Sequence, residues 1–124
     1  MAKLNEVLVA DLLSSDDWPN GFSYPGLFIR IVELGLRNLE PWLILEGEAL
    51  RLRVRGMRLR YPMRHLVPIA MRSDNDDVAC WDASRPGKVV IIHDYADSGY
   101  EYVNEFDSFS DWFKSAIDDM MNFE

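Results

Sequence analysis

The side chains best placed to do chemistry are Asp74-Asn75-Asp76-Asp77, four adjacent oxygen-bearing residues that could surround a cation. The calcium-loop pattern fails, because counting from Asp74 puts Ala79 where a Gly is needed and Arg85 where a Glu is needed. Asp and Asn also favour turns, since their side chains bond nearby backbone groups, so a tight turn with a solvated acidic rim is the simpler reading. His93-Asp94, with Asp97 beyond, could supply a base and its orienter. Adjacent strand residues point to opposite faces, so Asp94 cannot easily support His93, and a histidine making ordinary hydrogen bonds at a sheet edge is simpler again. Cys80 stands between Ala79 and Trp81 in an expected strand, where a free cysteine behaves as a small buried hydrophobe. The seven glycines are scattered and form no strand-to-helix phosphate cradle. The residues form no recognisable catalytic constellation, and no cofactor and no metal are expected of them.

The elements that must position these groups can be read from periodicity. Leu4, Val7, Leu8 and Leu12 suggest a short helix over residues 3 to 13, followed by a cluster of turn formers from Ser14 to Gly21. A second helix begins at Pro25, with Leu27, Phe28, Ile31, Val32 and Leu34 as its stripe and Gly35 near its end. Trp42 to Leu45 reads as a strand. Two readings compete from Glu46 to Arg60. A helix puts Leu50, Val54, Met57 and Tyr61 on one face and is stopped by Pro62. A hairpin turning at Arg55-Gly56 sets Arg51 against Arg60 and Arg53 against Arg58, and like charges across a ladder are destabilising. The helix is preferred.

From Leu66 onward the pattern is a meander: Leu66 to Met71, Asp77 to Asp82, Lys88 to His93 and Tyr100 to Phe106, with short connections that demand antiparallel pairing. Val89 to Ile92 is apolar at every position, so both faces of that strand should be covered. Ser108 caps a final amphipathic helix, with Asp111 as the acidic half of a capping box and Phe109, Trp112, Phe113, Ala116, Ile117 and Met120 as its core stripe. The expected fold class is α+β: a mainly antiparallel sheet with flanking N-terminal helices and a C-terminal amphipathic helix.

Composition bounds what such a fold can be. With 124 residues, 48% hydrophobic and one cysteine, the chain suffices for a single domain spanning residues 1 to 124 that holds a core without disulfide or metal. Glu6 and Asp11 interrupt the length a signal peptide would need, and no apolar run approaches a membrane span, so a cytoplasmic protein with no membrane partner is expected. The net charge of -8 divides unevenly: -5 over residues 1 to 50, +7 over residues 51 to 73, where seven Arg meet no acid, and -10 over residues 74 to 124. Direct nucleic-acid binding is not expected of so acidic a chain, and the arginine run reads as internal neutralisation between two acidic flanks.

Taken together, Arg60-Tyr61-Pro62, Leu66-Val67-Pro68-Ile69-Ala70, Asp74 through Trp81, Val89 through Asp94 and Phe106 through Trp112 resemble the motif series of the SUKH superfamily, whose best-known branch includes the fungal cell-wall regulator Knr/Smi. Ile69 stands where that family carries an aromatic. The resemblance covers roughly residues 60 to 113 and implies an α+β fold and a non-enzymatic role. Many bacterial members are immunity proteins that neutralise a cognate toxin, often a nuclease, while others are regulatory or assembly modules. An acidic surface including Asp74, Asp76, Asp77, Asp94 and Asp97 is the expected contact for a basic toxin domain. The competing class is a metal-dependent enzyme using His93 and nearby aspartates. Oligomeric state stays open, a homo-oligomer included.

Overall fold

The computed structural model describes residues 11–97 and 99–124. The helix expected over residues 3 to 13 falls mostly outside that range; Leu12 and Leu13, which are described, are buried in non-helical chain. A single 3-10 turn, Ser15–Asp17, lies in the expected cluster of turn formers.

Helix α1 spans Gly26–Glu33 and starts one residue later than expected, because Pro25 pairs a helix-compatible φ of -63° with an extended ψ of 146°. Gly35, at φ +79°, turns the chain out and lets the Leu36 N–H donate to the Ile31 carbonyl, a closing geometry that a side chain would strain. The ambiguous segment is helix α2, Gly47–Arg60, with Leu50, Val54 and Met57 on its buried face. Glu48 in its first turn and Arg58 and Arg60 in its last match the helix dipole.

Among the described residues, six strands follow the chain in spatial order, every neighbouring pair antiparallel: β1 (Asn38–Leu39), β2 (Trp42–Ile44), β3 (Leu66–Arg72), β4 (Asp77–Asp82), β5 (Val89–His93) and β6 (Tyr102–Phe106). The register shifts between Pro68 and Ala70, and there the Ile69 carbonyl accepts a bond from the Leu45 N–H. A bulge of this kind is where an interior strand tolerates a proline, which has no N–H to give the ladder. A second shift lies at Val103 on the outer strand β6. The meander and the covered faces of β5 are as expected; Val89 to Ile92 are buried at every position.

Helices cover both faces. Trp81 on β4 packs its ring 5.0 Å from Phe28 of α1 and 5.7 Å from Phe109, whereas its strand neighbour Asp82 points the other way, toward Arg64 just beyond α2. The final helix, α3, runs Phe109–Asn122. Ser108 Oγ accepts the Asp111 N–H at 3.1 Å, so the cap forms. Among the described residues the reciprocal bond, from the Ser108 N–H to the Asp111 carboxylate, is not formed, consistent with a side chain one methylene shorter than the Glu of a full capping box. Phe28, Trp42, Trp81, Phe109 and Trp112 make an aromatic seam between α1, α3 and the sheet. At its margin Tyr24 accepts the Leu13 N–H, and burial pushes its hydroxyl up to about 12 despite that bond. No helix among the described residues is long and apolar enough to cross a membrane.

Candidate functional site

The segment from Asp94 to Glu101, between β5 and β6, is where the chain's charge is most tightly organised. Strand alternation sends His93 to the α3 side and Asp94 to the α2 side. His93 Nδ1 lies 2.9 Å from Asp77 Oδ1, its direct partner across the β4–β5 ladder. The Asp94 side chain is 0% exposed, and four donors converge on it. Arg60 donates from Nε and Nη2 at 2.8 and 2.7 Å, Arg53 from Nη1 at 2.8 Å, and the Tyr95 N–H at 2.9 Å. Burial alone would push this carboxyl up; the bonds from Arg60, Arg53 and the backbone outweigh it and hold the group below the usual carboxylate range. The expectation that Asp94 belongs to an acidic surface is therefore corrected: it is a buried tie between the end of β5 and α2.

Glu101 ties the far end of the segment. It accepts Arg64 Nε at 2.6 Å through Oε2 and the Gly99 N–H at 2.6 Å through Oε1. Its own carbonyl accepts the His93 N–H. Burial opposes ionisation here too, and Arg64 with the backbone donors overcomes it, leaving Glu101 below its ordinary value. The Tyr61 hydroxyl donates to the Ala96 carbonyl at 3.3 Å. Two buried carboxylates, held by arginines in and just beyond α2, thus anchor the residues at either end of this connection, Asp94 and Glu101. Three arginines of the run, Arg53, Arg60 and Arg64, serve these ties, while Arg51 reaches Glu48 within its own helix and Arg72 reaches Asp74 and Asp119.

The fixed loop displays tyrosine. Tyr95 sits at φ +67°, a left-handed conformation that costs a β-carbon-bearing residue free energy and is favoured only where the surroundings impose it. Its ring lies beneath Arg60, 4.2 Å from guanidinium carbon to ring centroid, and remains 64% exposed. Tyr100 is 81% exposed, and Tyr102 and Val103 are exposed on the outer strand β6. Sequence reasoning missed all four. The signal was present in the tyrosines at 95, 100 and 102 around a turn-rich segment, where no apolar periodicity asks for them.

Of the remaining expected contact residues, Asp74 and Asp76 are exposed and Asp77 is half-buried, all in or beside the β3–β4 turn. The Asp77 N–H donates to Asn75 Oδ1 in a side-chain turn, and its carboxylate meets His93. Asp74 takes both Arg72 Nε and Nη2, at 2.8 and 3.0 Å, and those bonds hold its carboxyl below the usual range. The turn joins the loop through the Asp94 N–H, which donates to the Asp76 carbonyl at 2.9 Å. Asp97 is exposed further along the loop, its carbonyl accepting the Tyr100 N–H. Among the described residues, the side chains of Asp76 and Asp97 have no hydrogen bond or ion pair, so these two carboxylates face outward unspent.

Of the groups expected to act together, the structure brings His93 to Asp77 and not to Asp94. His93 and Asp94 diverge to opposite faces, and no group of three His, Cys, Asp or Glu among the described residues is placed to hold a metal ion. Cys80 is buried, and burial pushes its thiol well up, away from thiolate reactivity. An open cavity of about 620 Å³ lies beside the loop, but its charged lining is paired within the chain, Arg64 with Asp82 and Glu101 and Arg85 with Glu105. What the site offers is an α+β scaffold presenting exposed tyrosines beside open carboxylates. No family model, no characterised protein and no solved structure matches the chain.

Proposed function

We propose that this chain is a non-enzymatic, cytoplasmic protein-binding domain of the SUKH type, an immunity protein that binds and neutralises a cognate toxin. The observation that carries the reading is the loop from Asp94 to Glu101: an exposed tyrosine held in a left-handed conformation, with Tyr100 and Asp97 beside it, on a base fixed by buried ion pairs. Rigid, amphipathic tyrosines lose little entropy on binding and dominate protein interfaces, and open carboxylates at the margin select a basic partner. A net charge of -8 steers the chain toward a positive surface such as a nuclease presents to nucleic acid. Asp74 and Asp77, already paired within the chain, contribute field rather than direct contacts.

The test is capture from a lysate of the source organism with the purified chain as bait, identification of the tightest binder, and assay of that binder's activity with and without the chain. A basic toxic protein that binds in a salt-dependent way and loses activity supports the proposal. Recovery of metabolites or metal alone, or of the chain alone, overturns it. A regulatory or assembly module is the second reading, favoured by the exposed apolar residues on α2.

A further inference from the structure

Helix α2 has a second character on its outer side. Leu52 and Leu59, seven residues and about 10 Å apart along the axis, share one exposed face, and Met63 follows just past the helix end. Leu59 is 81% exposed and Met63 91%. Beside them stand Arg51, Arg55 and Arg58, all exposed. Unlike the arginines that turn inward to Asp94 and Glu101, these are scarcely neutralised. Arg51 reaches only Glu48, at 3.6 Å, Arg58 donates to the Asp17 carbonyl, and Arg55 has no carboxylate within ion-pairing distance among the described residues. In a chain of net charge -8, this is a basic and apolar stripe.

The end of α3 is its complement. Asp118 and Glu124 are exposed there together with Met120, Met121 and Phe123. Helix C-termini carry partial negative charge and are stabilised by cations, yet the last turn of α3 holds no basic residue and Asp118 and Asp119 lie just before it. Asp119 is served within the chain by Arg72 and the Trp42 ring N–H; among the described residues the Asp118 carboxylate has no such partner. Lys114, one turn earlier and exposed, is the nearest base in sequence on that helix.

We propose that a second copy of this chain occupies the stripe: the end of α3 in one protomer docks on the outer face of α2 in another, setting Asp118 near Arg55 and Met121 and Phe123 against Leu52 and Leu59. Charge and apolarity match on both sides, and each patch supplies what the other lacks. A nucleic acid would use the arginines and leave the leucines exposed, and an anionic membrane would be repelled by the rest of the molecule. The inference does not rest on the immunity reading.

Sedimentation equilibrium of the full chain over a range of concentrations tests it. The expected result is a mass rising with concentration above that of one chain, with association weakened by added salt. Arg55→Glu and Asp118→Arg, both at exposed positions, should each weaken self-association by about tenfold or more, because each sets like charges together. The double variant should regain most of what either lost. Monomer at every concentration overturns the proposal, as does association that both reversals leave unchanged or that the double variant fails to restore. Circular dichroism of each variant separates a lost contact from a lost fold.

Discussion

Replacing Asp94 by asparagine removes one negative charge and almost nothing else, and the fold should register it strongly. The amide would keep the volume and an oxygen for the Tyr95 N–H, but it would leave the Arg53 and Arg60 guanidiniums facing each other without a counter-charge. Breaking a buried pair by removing one partner costs about 3 to 5 kcal/mol. The arginine side chains are 17% and 28% exposed, so they recover part of their hydration, and the lower end, about 3 kcal/mol, is expected. For a domain of this size about 4 °C of melting temperature accompanies each kcal/mol, so Tm should fall by about 12 °C. Urea unfolding followed by tryptophan fluorescence measures this directly, because Trp42, Trp81 and Trp112 are buried. Asp76→Asn, which removes an exposed and unpaired carboxylate, should stay within about 0.5 kcal/mol of wild type. A loss under about 1 kcal/mol for Asp94→Asn would refute the argument that this carboxylate holds the loop to α2.

Acid should act on the same ties. Asp94 and Glu101 both have folded-state values below their ordinary ones, so their stabilisation is fully present above about pH 4, near the unfolded values, and is lost as pH falls through the folded values. The urea midpoint should therefore drop steeply below about pH 4 in wild type and less steeply in Asp94→Asn; parallel curves contradict the assignment. Ser108→Ala removes the acceptor for the Asp111 N–H and should cost about 1 kcal/mol in the same unfolding assay, with no measurable change refuting the cap's contribution. Cys80 should resist a water-soluble thiol reagent in the native protein and react at once in denaturant; labelling under native conditions would show that the sheet around β4 opens.

Where local pattern and tertiary demand coincide, the sequence suffices. Of the stripe expected from Phe109 to Met120, Phe109, Trp112 and Ala116 are buried and Phe113 and Ile117 half-buried, whereas Met120 is exposed near the helix end; the serine cap and the meander strands read correctly, because turn formers punctuate runs whose neighbours in the chain are also neighbours in the sheet. Helix α2 was decided by repulsion: the competing hairpin needed arginine opposite arginine twice. Strand β1 escaped because two residues carry no period. The fate of Asp94 escaped for a different reason. Its partners lie 41 and 34 residues away, and nothing local distinguishes a carboxylate awaiting two arginines from one facing water. The His93–Asp77 contact, by contrast, follows from counting outward along the β4–β5 hairpin, once that pairing is assumed. The tyrosines of the loop were legible only negatively, as aromatics without an apolar rhythm to explain them.

The proposed function places binding of a basic protein partner on Tyr95, Asp97 and Tyr100 of the β5–β6 connection. The most direct measurement is parallel capture from the source lysate with wild type and with a Tyr100→Ala, Asp97→Asn double variant, whose two exposed positions leave the buried ties intact. The prediction is a basic protein retained by wild type, inhibited by it, and lost from the variant by about tenfold or more in affinity, as loss of an interface tyrosine and a charge implies. Equal retention by both proteins, or no protein partner for either, would contradict it.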